Sequence, residues 1–572
     1  MRIRYLPVLL MSASLAACAA QQGVATNTDG TAAPSSAELA DLPIQNYLSA
    51  RFAASEYDMS EAARYYRATL SDDPKNADLL SAAFFYSTYA GDMDGAAKLA
   101  QQIILTTPAD RTARLVLALT SIKQRNYAEA RKQLAASQTG TGAGLTASIF
   151  NSWAAAGQRD GAMAEADIKT LAAQNGAGPM AALNRAFILD VIDAKAEDVE
   201  AAYREALAQN PTNPRLIDSY GRFLERAGRS KDASTLYARF ETNNALASVV
   251  RTGKARIVSN KKPEKLVRNA GEGAAEALVG IAATLSDPDS VEAAIFYLRM
   301  ALYLRPNFDF ASMVLGARLE GIKKFDDANL AYAAITKDSP YYRLASIEIA
   351  MNDARMERVD DAVAKLKTLV AASPKDVELW TSLGDAYRNA ERFGDAASAY
   401  DSAIAQLASP QQRDWSLFYS RAMARERNKN WPGAEADLKK ALELSPNEPQ
   451  VMNYLGYSWI EQGQNLPQAV GMLEKARSLR PFDGYIVDSV GWAYYRLGRY
   501  EEAAQALQDA VQLVPGDPTV NDHLGDAFWR VGRKLDARFQ WNHALTFGPE
   551  PEERVDIEKK LQSGLVAGDR RG

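Results

Sequence analysis

Cysteine is nearly missing from this 572-residue chain, Cys18 being the only one. A single thiol excludes any intrachain disulfide, so no part of the fold is covalently stapled. Imidazoles are almost as scarce: His523 and His543 are the only two, too few, with one cysteine, for a Cys/His zinc site. No metal and no cofactor is expected. Basic excess is missing too, with 66 Lys and Arg against 71 Asp and Glu and a formal charge of -5, which argues against a nucleic-acid partner. Catalytic signatures are also lacking. There is no H-E-x-x-H, no G-x-S-x-G and no P-loop, since Gly253-Lys254 lacks the upstream glycine. Gly140-Thr141-Gly142-Ala143-Gly144 follows a helical pattern rather than a strand and reads as a loop. His523 lies between Asp522 and Asp526 but has no accompanying nucleophile or second imidazole, so it reads as a surface or groove-lining residue and not as a general base. The chain is not expected to be an enzyme.

What is present is a period. Leu455-Gly456, Val490-Gly491 and Leu524-Gly525 are each followed three residues on by an aromatic, Trp459, Tyr494 and Phe528, then by a small residue and a closing proline. The glycines are 35 and 34 residues apart. The same position continues upstream through Ala422, Gly384, Ala350, Gly316 and Ala282, and in a first series through Ala50, Phe84, Ala118, Ser152, Phe187 and Gly221. Trp380, Leu383, Gly384 and Tyr387, followed by Ala396 and Tyr400, match W-x2-L-G-x2-Y…A-x3-F in type and offset. This pattern resembles the tetratricopeptide (TPR) repeat. The resemblance implies an all-α fold: a right-handed solenoid of about 14 helix-turn-helix units in two arrays, each unit burying its apolar face against its neighbours. In such a unit Gly384 and Ala396 let two helices approach, Leu383 and Tyr387 fill the space between them, and Tyr400 reaches the next unit.

The N-terminus reads differently. Arg2 and Arg4 precede a short apolar run from Leu6 to Leu15, too short for a membrane span and suited to a secretory signal over residues 1–17. Leu15-Ala16-Ala17-Cys18 resembles the lipobox of bacterial lipoproteins. That resemblance implies cleavage before Cys18 and acylation there; the alternative is an ordinary signal peptide with an accidental cysteine. Several acyl chains give lasting attachment, since each buried methylene contributes about 0.8 kcal/mol. Ala19, where an Asp would signal retention, implies the outer membrane at its periplasmic face, with the inner membrane left open. Residues 18–42 are polar and aperiodic and read as a flexible tether. The first array is expected over 43–247 and the second over 275–550. Between them, 248–274 reads as a basic linker, with Arg251, Lys254, Arg256, Lys261, Lys262, Lys265 and Arg268 as a partner or headgroup site or merely a solvated stretch. Residues 551–572 are expected to supply a covering helix and a tail.

Family resemblance places groove-lining residues on the first helix of each unit. In the last three units these include Asn453 and Tyr457; Asp488, Trp492, Tyr495 and Arg496; and Asp522, Asp526, Trp529 and Arg530. Aromatics and arginines are the types on which binding energy concentrates, and Asn and Asp suit an extended peptide backbone. Packing between adjacent first helices is the competing role for Trp492 and Tyr495. The layout resembles a family of Gram-negative envelope lipoproteins, one group of which serves as adaptor to a carboxyl-terminal processing protease. It implies a membrane-anchored scaffold whose concave groove binds periplasmic protein partners. The alternative is an envelope enzyme, or enzyme subunit, acting on peptidoglycan or peptide.

Overall fold

A computed structural model describes residues 43–137, 144–240 and 247–565; Cys18, the tether and the GTGAG glycines before Gly144 lie outside them. The described residues form 30 α-helices and no strand. They make fourteen successive helix pairs, six from Pro43 to Ala238 and eight from Ala270 to Thr546, plus two single helices, Ala247–Val258 and Pro551–Ser563. The chain is an all-α helix-turn-helix solenoid of the TPR type.

The reason lies in one close approach per pair. A Cβ added to Gly316, Gly384, Gly491 or Gly525 would fall within 2.6 Å of a large side chain sixteen residues on: Tyr332, Tyr400, Leu507 and Trp541 respectively. Where the position is not glycine it is still buried, as at Ala50, Ala118, Ser152, Ala282, Ala350 and Ala422, all without solvent exposure. Tyr400 therefore packs first against its own unit's Gly384, its hydroxyl donating to Asp385 Oδ1 at 2.7 Å, and it also reaches Ser420 in the next unit. Seven residues after this position the chain turns through positive φ. Glycine fills the turn at Gly91, Gly228, Gly463, Gly498 and Gly532, but Tyr57, Arg125, Arg159, Lys323, Glu357, Glu391 and Lys429 adopt the same left-handed conformation. That conformation ends the first helix and frees the chain to reverse.

The described residues fall into two compact units, 43–356 and 357–565. The stretch 248–274 lies within the first of these units, and its contacts explain why. Ala247–Val258 is a helix packed on Pro214–Arg226 and Ser230–Ala238. Gly253 lies against the Tyr237 ring, and the half-buried Arg256 donates to Asp218, Glu225 and Tyr237. Lys265 pairs with Asp193, and Arg268 with Glu272 and Glu264. Much of the basic cluster is consumed by intramolecular ion pairs.

The next two helices pack back onto earlier pairs of the N-terminal unit. Ala270–Thr284 packs against the first helices Arg111–Lys123, Leu145–Gly157 and Gly178–Val191, and Val291–Leu304 against Ala77–Ala90 and Arg111–Lys123. Gly273 sits on the buried Trp153 ring, whose indole N–H donates to Asn184 at 2.8 Å. Phe296 stacks on Phe85 with centroids 5.9 Å apart, and Arg299 donates to the Tyr89 carbonyl. The buried Glu276 is bound by Arg215 through two donors and approached by Arg305. The first-helix face from Ala77 to Val191 is therefore filled by the chain itself.

Candidate protein-docking surface

In the C-terminal unit no equivalent pair of helices fills the first-helix face among the described residues, and the ten sequence-selected residues lie along it. Six are buried: Asn453, Asp488, Trp492, Tyr495, Asp522 and Asp526. Tyr457, Arg496, Trp529 and Arg530 are half-buried.

Their partners explain the burial. Trp492 stacks on Tyr495 at 4.8 Å and on His523 of the next unit at 4.0 Å. Its indole N–H donates to Glu461 of the preceding unit at 2.6 Å, and Arg496 donates to the same carboxylate at 3.0 Å. One step on, Arg530 Nε donates to the Tyr495 hydroxyl at 3.2 Å. His523 Nδ1 lies 2.9 Å from Asp488 Oδ1. These are ties between consecutive first helices, 31 residues apart for Trp492 with Glu461 and 35 for the other hydrogen-bonded pairs, so these residues join successive units. His523 is correspondingly an interior residue, contrary to the surface or groove-lining position expected of it.

The last unit shows the same device with a different cation. Asp522 and Asp526 flank Lys560, whose ammonium donates to both at 2.7 to 2.8 Å although it is buried. Lys560 belongs to Pro551–Ser563, which also buries Ile557. The chain beyond it closes on Trp529: a Cβ on Gly564 would meet that ring at 1.9 Å. Trp529 also packs on Trp541, with Lys534 above its face. Leaving Asp522 and Asp526 buried without this lysine would strand two charges, so the final helix is held electrostatically as well as by packing.

Electrostatics follow burial. Burial pushes the Tyr495 phenol up to about 12, and burial likewise raises Asp385 above the usual carboxylate range. For His523 burial is the largest influence and acts downward, but the charge and hydrogen bond of Asp488, with Asp522 and Asp526 behind it, outweigh it and leave the imidazole above its ordinary value.

An exposed apolar row lies elsewhere, at the turns joining successive units. Leu479, Leu513 and Phe547 occupy one repeat position 34 residues apart, each at the end of a second helix and each exposed. Phe482 is 86% exposed and Tyr485 is exposed beside it. Close approaches link the row: Gly484 sits against Leu513, and Gly516 faces the Phe547 ring. Residue type alone did not reveal it, but the recurrence of a large apolar residue just before each closing proline was the available signal.

Two family models match the chain. One described as tetratricopeptide repeat covers residues 89–143 and 347–412, and one described as TPR repeat covers 491–532. Among curated proteins, the general transcriptional corepressor ssn6 of Schizosaccharomyces pombe is 29% identical over 126 residues, 22% of this chain and 11% of that protein. The chain thus spans about a tenth of the length of that relative. Among solved structures, the Cut9–Hcn1 hetero-tetramer of the APC/C is 14% identical, covering 92% of this chain and 97% of the other, with a TM-score of 0.38. Yeast Tom70 is 14% identical over 83% of this chain and 98% of its own, with a TM-score of 0.35.

Proposed function

We propose that this protein is a non-catalytic scaffold of the bacterial envelope, held to the outer membrane by lipid on Cys18, that docks a periplasmic protein through its C-terminal unit. The observation that carries the reading is the exposed row Leu479, Phe482, Tyr485, Leu513 and Phe547 on an otherwise well-tied solenoid. Contiguous exposed apolar side chains on a rigid frame are what protein interfaces use. The filled N-terminal face directs the reading to residues 357–565. Among the described residues no helix is long and apolar enough to cross a membrane, so attachment rests on the lipobox resemblance at Leu15 to Cys18. The adaptor role, bringing substrates to a carboxyl-terminal processing protease, is the specific form of this reading that the resemblance suggests.

Affinity purification from envelope extracts, with mass spectrometry, tests it. The wild-type protein should recover a stoichiometric partner, and Phe482→Asp combined with Leu513→Asp should lose it while the thermal melt is retained. A partner kept by that variant removes the row from the interface. Trp492→Ala is unsuited to this test, because Trp492 is a buried inter-unit tie and its loss disturbs the fold. Turnover of peptidoglycan or peptide by the purified protein would replace the scaffold reading with the enzymatic one.

A further inference from the structure

The first described helix, Pro43–Ser55, has one face that no other described element covers. Ile44, Leu48 and Phe52, at successive i, i+4 positions and therefore on one stripe, are 67%, 60% and 68% exposed. Register shows what this face is. Leu48 occupies the repeat position of Ser489 and His523, and Phe52 that of Ala493 and Ala527, all buried in interior units. His523 reaches from there to Asp488 of the preceding first helix. Leu48 and Phe52 thus present an interior face at the end of the described stack, where solenoids ordinarily place polar residues, and Ile44 extends it at the repeat position of the exposed Tyr485.

We propose that this stripe lies on the surface of the membrane to which the chain is anchored, an inference that rests on the lipid-anchored reading of Cys18. Three observations favour a lipid surface. Only 24 residues separate Cys18 from Pro43, so this helix is the first described element after the acylated residue. Pro43–Ser55 contains no acidic residue, and its one charge is the exposed Arg51. In a chain with an acidic excess it is thus suited to anionic headgroups, the arginine extending from the apolar stripe toward them. The area is also informative. Even at the roughly 250 Å² of a large aromatic, which Ile and Leu do not reach, three side chains about two-thirds exposed offer no more than about 500 Å², against about 800 Å² per partner for a stable protein interface. A bilayer needs no complementary shape and gains from any apolar area inserted, and a second contact beside an acyl anchor fixes orientation.

Because Cys18 is the only cysteine, acylation leaves no free thiol, and an introduced one is labelled alone. Leu48→Cys in the acylated protein, carrying an environment-sensitive fluorophore and placed in phosphatidylethanolamine and phosphatidylglycerol vesicles, should show blue-shifted emission. Ser60→Cys, on the next helix of the same pair and exposed, should not. Adding Phe52→Glu should abolish the shift. A shift at residue 48 that appears without vesicles and grows with protein concentration would overturn the proposal in favour of a second copy of the chain. No shift under either condition would overturn it outright. Intact mass reports separately whether Cys18 is acylated. If it is not, the anchoring reading falls, and the stripe is still judged by the tenfold loss of vesicle affinity expected when Phe52→Glu is added to the Cys18→Ser chain.

Discussion

In the N-terminal unit, Glu276 and Gly273 carry a helix of the chain's own second series onto the first helices of the earlier pairs. In the C-terminal unit the same kind of face is held by residues that reach only from one first helix to the next: Glu461 to Trp492 and Arg496, Asp488 to His523, Tyr495 to Arg530. The first arrangement makes distant repeats mutually dependent, since Ala270–Thr284 touches three first helices at once. The second is a chain of nearest-neighbour couplings, in which stability adds along the stack. One helix pair thus supports a non-local unit and a local one.

The largest test of that difference is Glu276→Ala. It leaves the largely buried Arg215 without the carboxylate that binds it through two donors, a loss of about 3 kcal/mol. Hydrogen exchange should rise together in Arg111–Lys123, Leu145–Gly157 and Gly178–Val191 while Val377–Asn389 is unchanged. A response confined to Pro214–Arg226 would mean that the N-terminal unit is as local as its counterpart. Gly491→Leu comes next. Its side chain must displace Leu507, at about 1–3 kcal/mol, and the effect should fade within one pair on either side. Melting of all of 357–565 as one block would break the nearest-neighbour account.

A smaller effect should be common to both units. Arg125 and Lys429 hold left-handed turns, with φ of 60° and 61°, that glycine adopts without strain. Arg125→Gly and Lys429→Gly should each stabilise by about 0.5–1 kcal/mol, the relief of strain exceeding the entropy that glycine adds to the unfolded chain. A gain in one unit but not the other, read from denaturant midpoints followed by exchange, would show that the turns are not equivalent.

The period was legible because packing forces it: a helix pair closes only where Gly384, Gly491 or Gly525 admits a large residue sixteen positions later. The use of the first-helix face was not legible, for two physical reasons. Trp492, Tyr495 and Arg496 are residue types that serve equally in recognition and in ties between helices, and only the partner 31 or 35 residues away decides between them. Complementary pairs at the longer spacing, Asp488 with His523 and Glu461 with Arg496, were in the sequence but carry no local periodicity. The seating of Ala270–Thr284 against helices several repeats earlier is a property of the packed chain, invisible to any window of a single repeat. Similarly, Ile44, Leu48 and Phe52 form the same i, i+4 stripe as a core face, and only the absence of a covering helix among the described residues marks them as exposed.

The finest test is a slope rather than a loss. His523 is buried, stacked on Trp492 and set 2.9 Å from Asp488 Oδ1. Its pKa stands above the ordinary value despite burial, because Asp488, and behind it Asp522 and Asp526, outweigh the desolvation. The native state therefore holds this proton more tightly than the unfolded chain does. Below about pH 6.5, the ordinary histidine value, both states are protonated and the contribution is complete. As pH rises from there through the raised native value, the unfolded chain gives up its proton first and the stabilisation drains away. Exchange protection in Gly484–Arg496 and Pro518–Arg530 should accordingly fall with rising pH across that window, after correction for intrinsic exchange. His523→Gln should lower protection at pH 6 and flatten the dependence, so that the two proteins converge at high pH. The N-terminal unit contains neither histidine, so its helices should show no such step in either protein. A slope that survives His523→Gln would assign the titration to another group and reduce Asp488–His523 from an ionic tie to a neutral hydrogen bond.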